Sequence, residues 1–326
     1  MHYFCTGATG FVGGRLARRL VDDGHEVTAL VRSPGEAADL EEYGVELVAG
    51  DVTEQASMRE AMAGTDGVFH LAALYRLGVD DPGLLEQVNV EGTRKVLELV
   101  DKLDIPKAVY TSTLAVNSDT HGARVDEDYR FEGDHLSVYD ETKWRAHHEV
   151  AAPMAAGGVP IVTVMPGVVY GPGDTSQLRD LWVDWLQGDL PVIPRETAYC
   201  WAHVDDVVDA HVAAMEQGDP GEDYIVAGEP YTLVEAFAIA SDIVGRDPPR
   251  AVSPTWFRAL SVLAGAAEHV VSLPDAYSSE ALRVLAGTTY LGDNAKARRE
   301  LGIEHRPFDE GLREVLEHEQ ALLGQS

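Results

Sequence analysis

Cys5-Thr6-Gly7-Ala8-Thr9-Gly10-Phe11-Val12-Gly13 is the stretch whose reading decides the fold. It follows an apolar run at residues 2–5 that reads as a strand, and it opens a segment where Leu16, Ala17 and Leu20 recur at helical spacing. Between a strand and a helix, glycines so spaced do three different things. Gly7 permits the tight turn, Gly10 lets the backbone approach a pyrophosphate, and Gly13 lets the helix pack close on the strand. The start of the helix offers unpaired N–H groups to the anion. The stretch therefore reads as a dinucleotide site, with Thr9, Phe11 and Val12 bordering the cofactor.

Outward from this turn, short apolar runs at 26–31, 45–48, 67–71, 108–111 and 161–164 alternate with helical segments, and a seventh strand is expected at 224–226. Continuous Val, Ile and Leu runs mark strands buried on both faces. Crossover helices between them imply an α/β fold with a Rossmann-type, doubly wound, parallel sheet. After Tyr170 the texture changes to the loop Gly171-Pro172-Gly173-Asp174, followed by a helix with Leu178, Leu181, Trp182 and Trp185 on one face. The expected division is a dinucleotide-binding domain over 1–170, with a further strand near 223–227, and a smaller, mostly helical substrate-binding part over 171–326 interleaved with it. The site belongs in the cleft at the carboxyl ends of the strands. An apolar stretch at 259–273 is interrupted by Glu268 and His269 and is too short to span a bilayer, so it reads as a buried or lid-forming helix.

The chain has 326 residues, 45% of them apolar, enough to bury a full core. Its formal charge of −30 excludes nucleic-acid binding, which needs a basic face, and disfavours anionic membranes. The acidic residues are spread along the whole chain, and the cations are mostly arginine. That pattern resembles proteins of salt-accumulating organisms. Cys5 and Cys200 form neither a disulfide framework nor a metal-ligand spacing and read as small buried residues. The opening residues already carry the glycine motif and leave no room for a secretory signal, so a cytoplasmic location is expected.

The second strand ends in Leu30-Val31-Arg32-Ser33, where an NAD enzyme usually places an acid on the ribose hydroxyls. Arg32 instead suits a 2′-phosphate, with Ser33 as a second donor, which favours NADP(H) over NAD(H). In Gly50-Asp51-Val52, Asp51 is placed to accept from the adenine amino group or to cap a helix, with Val52 beside it.

Tyr139-Asp140-Glu141-Thr142-Lys143 puts a phenol and an ammonium on one face of a helix. A phenol titrates near 10 in water, so proton transfer at neutral pH requires a cation that stabilises its anion. Lys143 is that cation, and Tyr139 is the expected acid/base. The fifth strand ends in Thr111-Ser112-Thr113, and Thr113 is the expected third catalytic member, holding the substrate oxygen.

Together these residues resemble the extended short-chain dehydrogenase/reductases, the NAD(P)-dependent epimerase/dehydratase family. The resemblance rests on the glycine run, Gly50-Asp51-Val52, His70-Leu71-Ala72-Ala73, Val88-Asn89-Val90-Glu91-Gly92-Thr93, the Thr111 to Thr113 strand end, the Tyr139 to Lys143 segment, Pro166 to Asp174, and His203-Val204-Asp205-Asp206. It implies a seven-stranded parallel sheet, with Leu71, Ala72, Ala73 and Thr111 lining the cofactor. It also implies that Asn89 braces the site and that Pro166, Val168 and Val169 lie beside the nicotinamide. His203, Asp205 and Asp206 are then architecture, and no metal is expected. The family often dimerises through helices like those at 85–103 and 139–152, which leaves a homodimer open.

Within the family, Arg32 and the run from His70 to Arg76 resemble the dihydroflavonol reductase-like and hopanoid-associated epimerase-like branch. Nucleotide-sugar epimerases typically carry an acid after the second strand, an Asn near the Pro-Gly-Val-Val-Tyr segment, and an Arg that clamps a diphosphate. This chain has Val31-Arg32, Met165-Pro166-Gly167 and Tyr199-Cys200-Trp201 there. The expected substrate is therefore a small, neutral, partly apolar carbonyl or alcohol. Tyr75, Arg76, Leu114, Gln177, Leu178, Trp182 and Tyr199 are candidates for its wall. The leading reading is an NADP(H)-dependent oxidoreductase that interconverts a carbonyl and an alcohol. A sugar epimerase or dehydratase and a non-catalytic NADP-sensing scaffold are the alternatives.

Overall fold

The computed structural model describes residues 1–78, 81–268 and 278–324. Its strands run, in chain order, β1 (His2–Thr6), β2 (Glu26–Val31), β3 (Glu46–Ala49), β4 (Gly67–His70), β5 (Ala108–Thr111), β6 (Ile161–Pro166), β7 (Val168–Tyr170), β8 (Val192–Pro194), β9 (Ala198–His203), β10 (Asp223–Val226), β11 (Pro230–Thr232), β12 (Arg250–Val252) and β13 (Thr289–Tyr290).

Seven of these form one parallel sheet in the order β10-β6-β5-β4-β1-β2-β3, with the anticipated seventh strand beside β6. Every residue of β4 and of β6 is buried, as helices on both faces of a parallel sheet require. Phe11–Asp22 and Val204–Gln217 cover one face, packing Leu16, Leu20 and Val207 against Phe69 and Val109. Thr93–Lys102 and the helix that begins with Val138–Arg145 cover the other, where Val96, Leu97 and Val150 meet Phe4 and Tyr110. From β1 the chain steps one way to β2 and β3, and from β4 the other way to β5 and β6. The crevice at the carboxyl ends of β1 and β4 is thus the topological switch point.

The carboxyl-terminal part is mostly helical, as expected, and also carries short strands that its sequence texture does not announce. β9 carries β11 antiparallel on one side and β13 and β7 parallel on the other, and β8 pairs with β12. β9 is buried at every position, so it lacks the alternation that marks a half-exposed strand. Its neighbours run to only two or three residues. The expected helix carrying Trp182 and Trp185 is present as Gln177–Gln187, and both indoles are buried against Trp201 and Phe237.

The apolar stretch near 260 forms the helix Pro254–Glu268, and here the expectation of a buried helix is corrected. Phe257, Ser261 and Ala264 face inward, but Trp256 is 68% exposed and Val262 73% exposed. Among the described residues the apolar groups packed against this segment cover one of its faces: its core cluster is Phe257, Ala264, Leu282 and Ala286. His269 and the rest of that stretch to residue 273 lie outside the described residues. No helix among the described residues is long and apolar enough to cross a membrane. Cys5 and Cys200 are buried and unpaired, and burial pushes the Cys5 thiol up to about 12.

Candidate active site

The glycine turn is built for close approach. A Cβ on Gly13 would stand 2.1 Å from the Gly7 carbonyl oxygen, and one on Gly7, whose φ is +77°, would stand 2.7 Å from the Ala72 nitrogen. Neither position admits a side chain. Gly10 is the amino-terminal cap of Phe11–Asp22 and has no side chain to satisfy the helix's first N–H groups. They are therefore offered to an anion at the switch point, which fits the pyrophosphate of a dinucleotide. Phe11 and Val12 are half-buried beside the turn, with the Arg15 guanidinium 5.7 Å from the Phe11 ring centroid.

Around this cradle the other expected cofactor residues fall as follows. Arg32 and Ser33 are exposed at the end of β2. Asp51 accepts from the Thr53 N–H at 2.8 Å through Oδ1, which shapes the turn after β3, and Val52 is buried beneath it. Leu71 and Ala72 follow β4, where Thr6 Oγ1 accepts from the Ala72 N–H, and Ala73 is exposed. Pro166 ends β6, and Val168 and Val169 pair with Trp201 and Ala202 of β9. Thr111 divides its groups: its carbonyl faces Lys143, while its hydroxyl is 2.7 Å from His211 Nε2.

Ser137 caps the helix that carries the candidate acid/base, its hydroxyl accepting from the Asp140 N–H. Tyr139 and Lys143 point from it toward the end of β5. The Thr113 hydroxyl, which accepts from the Ala115 N–H at 3.2 Å, is near enough to the Tyr139 phenol to offset part of its pKa rise. Burial drives the Tyr139 pKa well above its ordinary value, with Tyr75 and Asp140 adding to the effect. A raised phenol pKa disfavours the phenolate in the cofactor-free protein. Lys143 is 2% exposed, and burial lowers its pKa to about 7. It donates to the Thr111 carbonyl at 2.9 Å and to the Tyr110 hydroxyl at 3.2 Å.

Asn89 is fully buried and braces two elements at once. Its amide accepts from the Leu74 N–H at 2.7 Å, donates to the Leu74 carbonyl at 3.1 Å, and donates to Thr142 Oγ1 at 3.1 Å. The loop after β4 is thereby tied to the Tyr139 helix. At its tip the Tyr75 ring meets the Tyr139 ring edge-on, with centroids 4.7 Å apart. Asp140, Tyr290 and Tyr199 complete this wall. The Tyr290 hydroxyl donates to Asp140 Oδ2 at 2.9 Å, and Tyr290 stacks on Tyr199 with centroids 6.0 Å apart. Burial raises the Asp140 carboxyl to about 7 despite the bonds it receives. Sequence reasoning passed over Asp140 and Tyr290. An acid in the first turn of a helix is ordinarily solvated, and Tyr290 comes from a distant two-residue strand.

Among the remaining wall candidates, Tyr75 and Tyr199 come together at this site. Leu114 is 2% exposed and packs with Met165, Cys200 and Ile225. Trp182 lies in the aromatic core, while Gln177 and Leu178 open the helix behind it. Arg76 is exposed. His203, Asp205 and Asp206 knit the carboxyl-terminal segment to the sheet. Asp205 pairs with Arg15 at 2.8 Å, Asp206 accepts from the Arg306 N–H at 2.8 Å, and His203 lies near Arg306 and Glu314.

Comparison with known proteins bears on this arrangement. The model of the NAD dependent epimerase/dehydratase family matches residues 3–227. A putative dihydroflavonol 4-reductase of Synechocystis sp. is 31% identical, with 96% of this chain and 93% of that protein aligned. A 4-hydroxy-2-methyl-3-oxo-4-farnesyl-3,4-dihydroquinoline-1-oxide ketoreductase of Stigmatella aurantiaca is 30% identical over 94% of this chain and 92% of its own length. The crystal structure of gox2253 superposes with a TM-score of 0.84 at 29% identity, covering 98% of each chain.

Proposed function

This chain belongs to the NAD dependent epimerase/dehydratase family and is an NAD(P)-dependent oxidoreductase of the extended short-chain dehydrogenase/reductase type; on that premise we propose that it reduces the carbonyl of a small, neutral, partly apolar substrate with NADP(H), Tyr139 supplying the proton. The observation that carries this reading is the half-buried Tyr139 beside Thr113, one helical turn from the buried Lys143, at the carboxyl end of β5. When bound, the nicotinamide exchanges a hydride with the substrate carbon. Thr113 and Tyr139 hold the substrate oxygen between two hydroxyls, and as negative charge develops on that oxygen the Tyr139 O–H bond breaks and a substrate O–H bond forms. Lys143 stabilises the phenolate that remains.

Gly7, Gly10 and Gly13 hold the pyrophosphate, and Arg32 with Ser33 holds a 2′-phosphate at the end of β2, where no acid stands to repel it. Tyr75, Tyr199 and Tyr290 give the substrate an apolar wall, and Tyr199-Cys200-Trp201, all buried, provides no guanidinium for a diphosphate. The two reductase relatives, named for a dihydroflavonol and for a farnesylated quinoline ketone, support a partly apolar carbonyl substrate.

The test follows NADPH and NADH oxidation with a panel that includes 4-nitrobenzaldehyde, aryl ketones and nucleotide sugars, at low and high salt. Consumption of NADPH with aldehydes or ketones is expected. Turnover of a nucleotide sugar with no net cofactor consumption would overturn the reading in favour of an epimerase.

A further inference from the structure

The loop that carries Tyr75 is held by a residue from the far end of the chain. Glu280, in the short helix Ser279–Val284, accepts from the Gly78 N–H at 2.8 Å through Oε2 and from the Val138 N–H at 3.0 Å through Oε1. Gly78 lies 202 positions before it and Val138 lies 142 before it. One carboxylate thus joins three segments: its own helix, the loop after β4, and the start of the helix that carries Tyr139.

Each of these bonds answers a need of the backbone. Val138 is the first residue of its helix, so its N–H has no partner within the helix, and a negative group there meets the positive end of the helix dipole. Ser137 already takes the Asp140 N–H. The stretch 74–78 belongs to no strand or helix and is pinned at both ends: Asn89 bonds the Leu74 N–H and carbonyl, and Glu280 takes the Gly78 N–H. Between the pins Tyr75 is 49% exposed, so burial does little to hold the ring that stands edge-on to Tyr139. A carboxylate can accept at both oxygens. The amide of a Gln offers one acceptor and one donor, so one of the two backbone N–H groups would face another N–H. The helix that carries Glu280 is a firm base for it. Glu268 accepts from the Ser279 N–H at 2.6 Å, Arg283 donates to the Leu136 carbonyl at 3.1 Å, and Leu282 packs with Phe257 and Ala264. Beside the carboxylate lies a cavity of about 350 Å³ lined by His135, Ser137, Glu141, Glu280 and Arg283. Glu280 therefore borders open space rather than filling the core, and an isosteric replacement leaves no void.

We propose that Glu280 is a positioning residue for the reduction: by taking the Gly78 and Val138 N–H groups together it docks the helix Ser279–Val284 on the site and fixes Tyr75 against Tyr139. This rests on Tyr139 and the tyrosine wall acting as proposed above. The carboxylate is spent on backbone N–H groups and acts through the tyrosine it places. Tyr139 has anchors of its own on the same helix, because Asn89 holds Thr142 and Lys143 is tied to Thr111 and Tyr110. Loss of the clasp therefore frees the 75–78 loop, and the substrate loses part of its wall rather than its proton donor. The mark of that loss is a raised KM for the carbonyl at little cost in kcat.

The test compares Glu280→Gln, Tyr75→Ala and the double variant, with NADPH and the panel carbonyl that wild-type enzyme reduces fastest. Glu280→Gln is expected to raise the KM for that carbonyl at least about tenfold, with kcat within about threefold of wild type and the KM for NADPH unchanged. Since the clasp acts through Tyr75, adding Glu280→Gln to Tyr75→Ala should raise KM by no more than about twofold. A residue that merely stabilised the fold would impose the same factor in both backgrounds. Amide hydrogen exchange of the wild-type protein, which needs neither a variant nor a substrate, should find the Gly78 and Val138 N–H groups protected. Wild-type KM in Glu280→Gln, an equal factor in both backgrounds, an NADPH KM that rises with that of the carbonyl, or a Gly78 N–H that exchanges as fast as a free loop would overturn the clasp. Tyr139→Phe in the same assay separates the two proposals. If it is inactive while Glu280→Gln behaves as wild type, only the clasp fails; if Tyr139→Phe is active, the underlying reading fails.

Discussion

Lys143 Nζ donates to the Tyr110 hydroxyl at 3.2 Å, so the ammonium is held by a phenol and a backbone carbonyl rather than by a carboxylate. Burial without a counter-ion is what brings its pKa down to about 7. A group poised there can both stabilise a phenolate and exchange a proton near neutrality.

Lys143→Met should lower kcat/KM by about 100-fold or more, and Lys143→Arg should not rescue it, because a guanidinium keeps its proton and its planar fork does not fit an ammonium site. Steady-state kinetics with NADPH checks both variants. Wild-type rates in Lys143→Arg would contradict the role given to a titrating amine.

Two buried groups should give the cofactor-free protein an unusual pH dependence of stability. Asp140 has its folded pKa raised from 3.8 to about 7, so its contribution is full below pH 3.8 and is lost as pH rises toward 7. Lys143 has its folded pKa lowered from 10.5 to about 7, so its contribution is full above pH 10.5 and is lost as pH falls toward 7. Each term is bounded at on the order of 4 kcal/mol. Asp140→Asn should flatten the denaturant midpoint between pH 4 and 7, and Lys143→Met should flatten it between pH 7 and 10. Urea titrations of the three proteins across this range measure the slopes.

Gly13→Ala should abolish cofactor binding and lower Tm, since its Cβ would stand 2.1 Å from the Gly7 carbonyl oxygen. Gly35→Ala, whose Cβ meets nothing within 4 Å, should change neither. Fluorescence titration with NADPH and thermal unfolding compare the pair.

Arg32→Ala should raise the KM for NADPH by about tenfold or more, the loss of a charge-assisted bond, and leave that for NADH nearly unchanged. Equal effects on both cofactors would assign Arg32 a role other than reading a 2′-phosphate.

The parallel sheet was legible because its strands are continuous apolar runs, and the switch point because Gly7, Gly10 and Gly13 sit between a strand and a helix. Tyr139 and Lys143 were legible for the same kind of reason, a local spacing on one helix. What escaped the sequence is non-local. β9 hides its alternation by being buried on every side, and Tyr290 reaches Asp140 from a two-residue strand 150 positions away. Glu280 meets Gly78 and Val138 from 202 and 142 positions away, in a loop and a helix start that no periodicity links to it. The exposed apolar side of Pro254–Glu268 is a different case. Its composition reads as buried, yet Trp256 and Leu263 face solvent, because the apolar groups packed on it among the described residues cover its other side.

The central claim is that the Tyr139 phenol supplies the proton for carbonyl reduction. Tyr139→Phe removes one oxygen and keeps the ring that packs against Tyr75. The decisive measurement is NADPH-dependent carbonyl reduction by this variant, paired with NADPH titration. Turnover reduced by about 1000-fold or more with cofactor affinity nearly unchanged is the predicted result. Turnover within a few-fold of wild type would contradict the account.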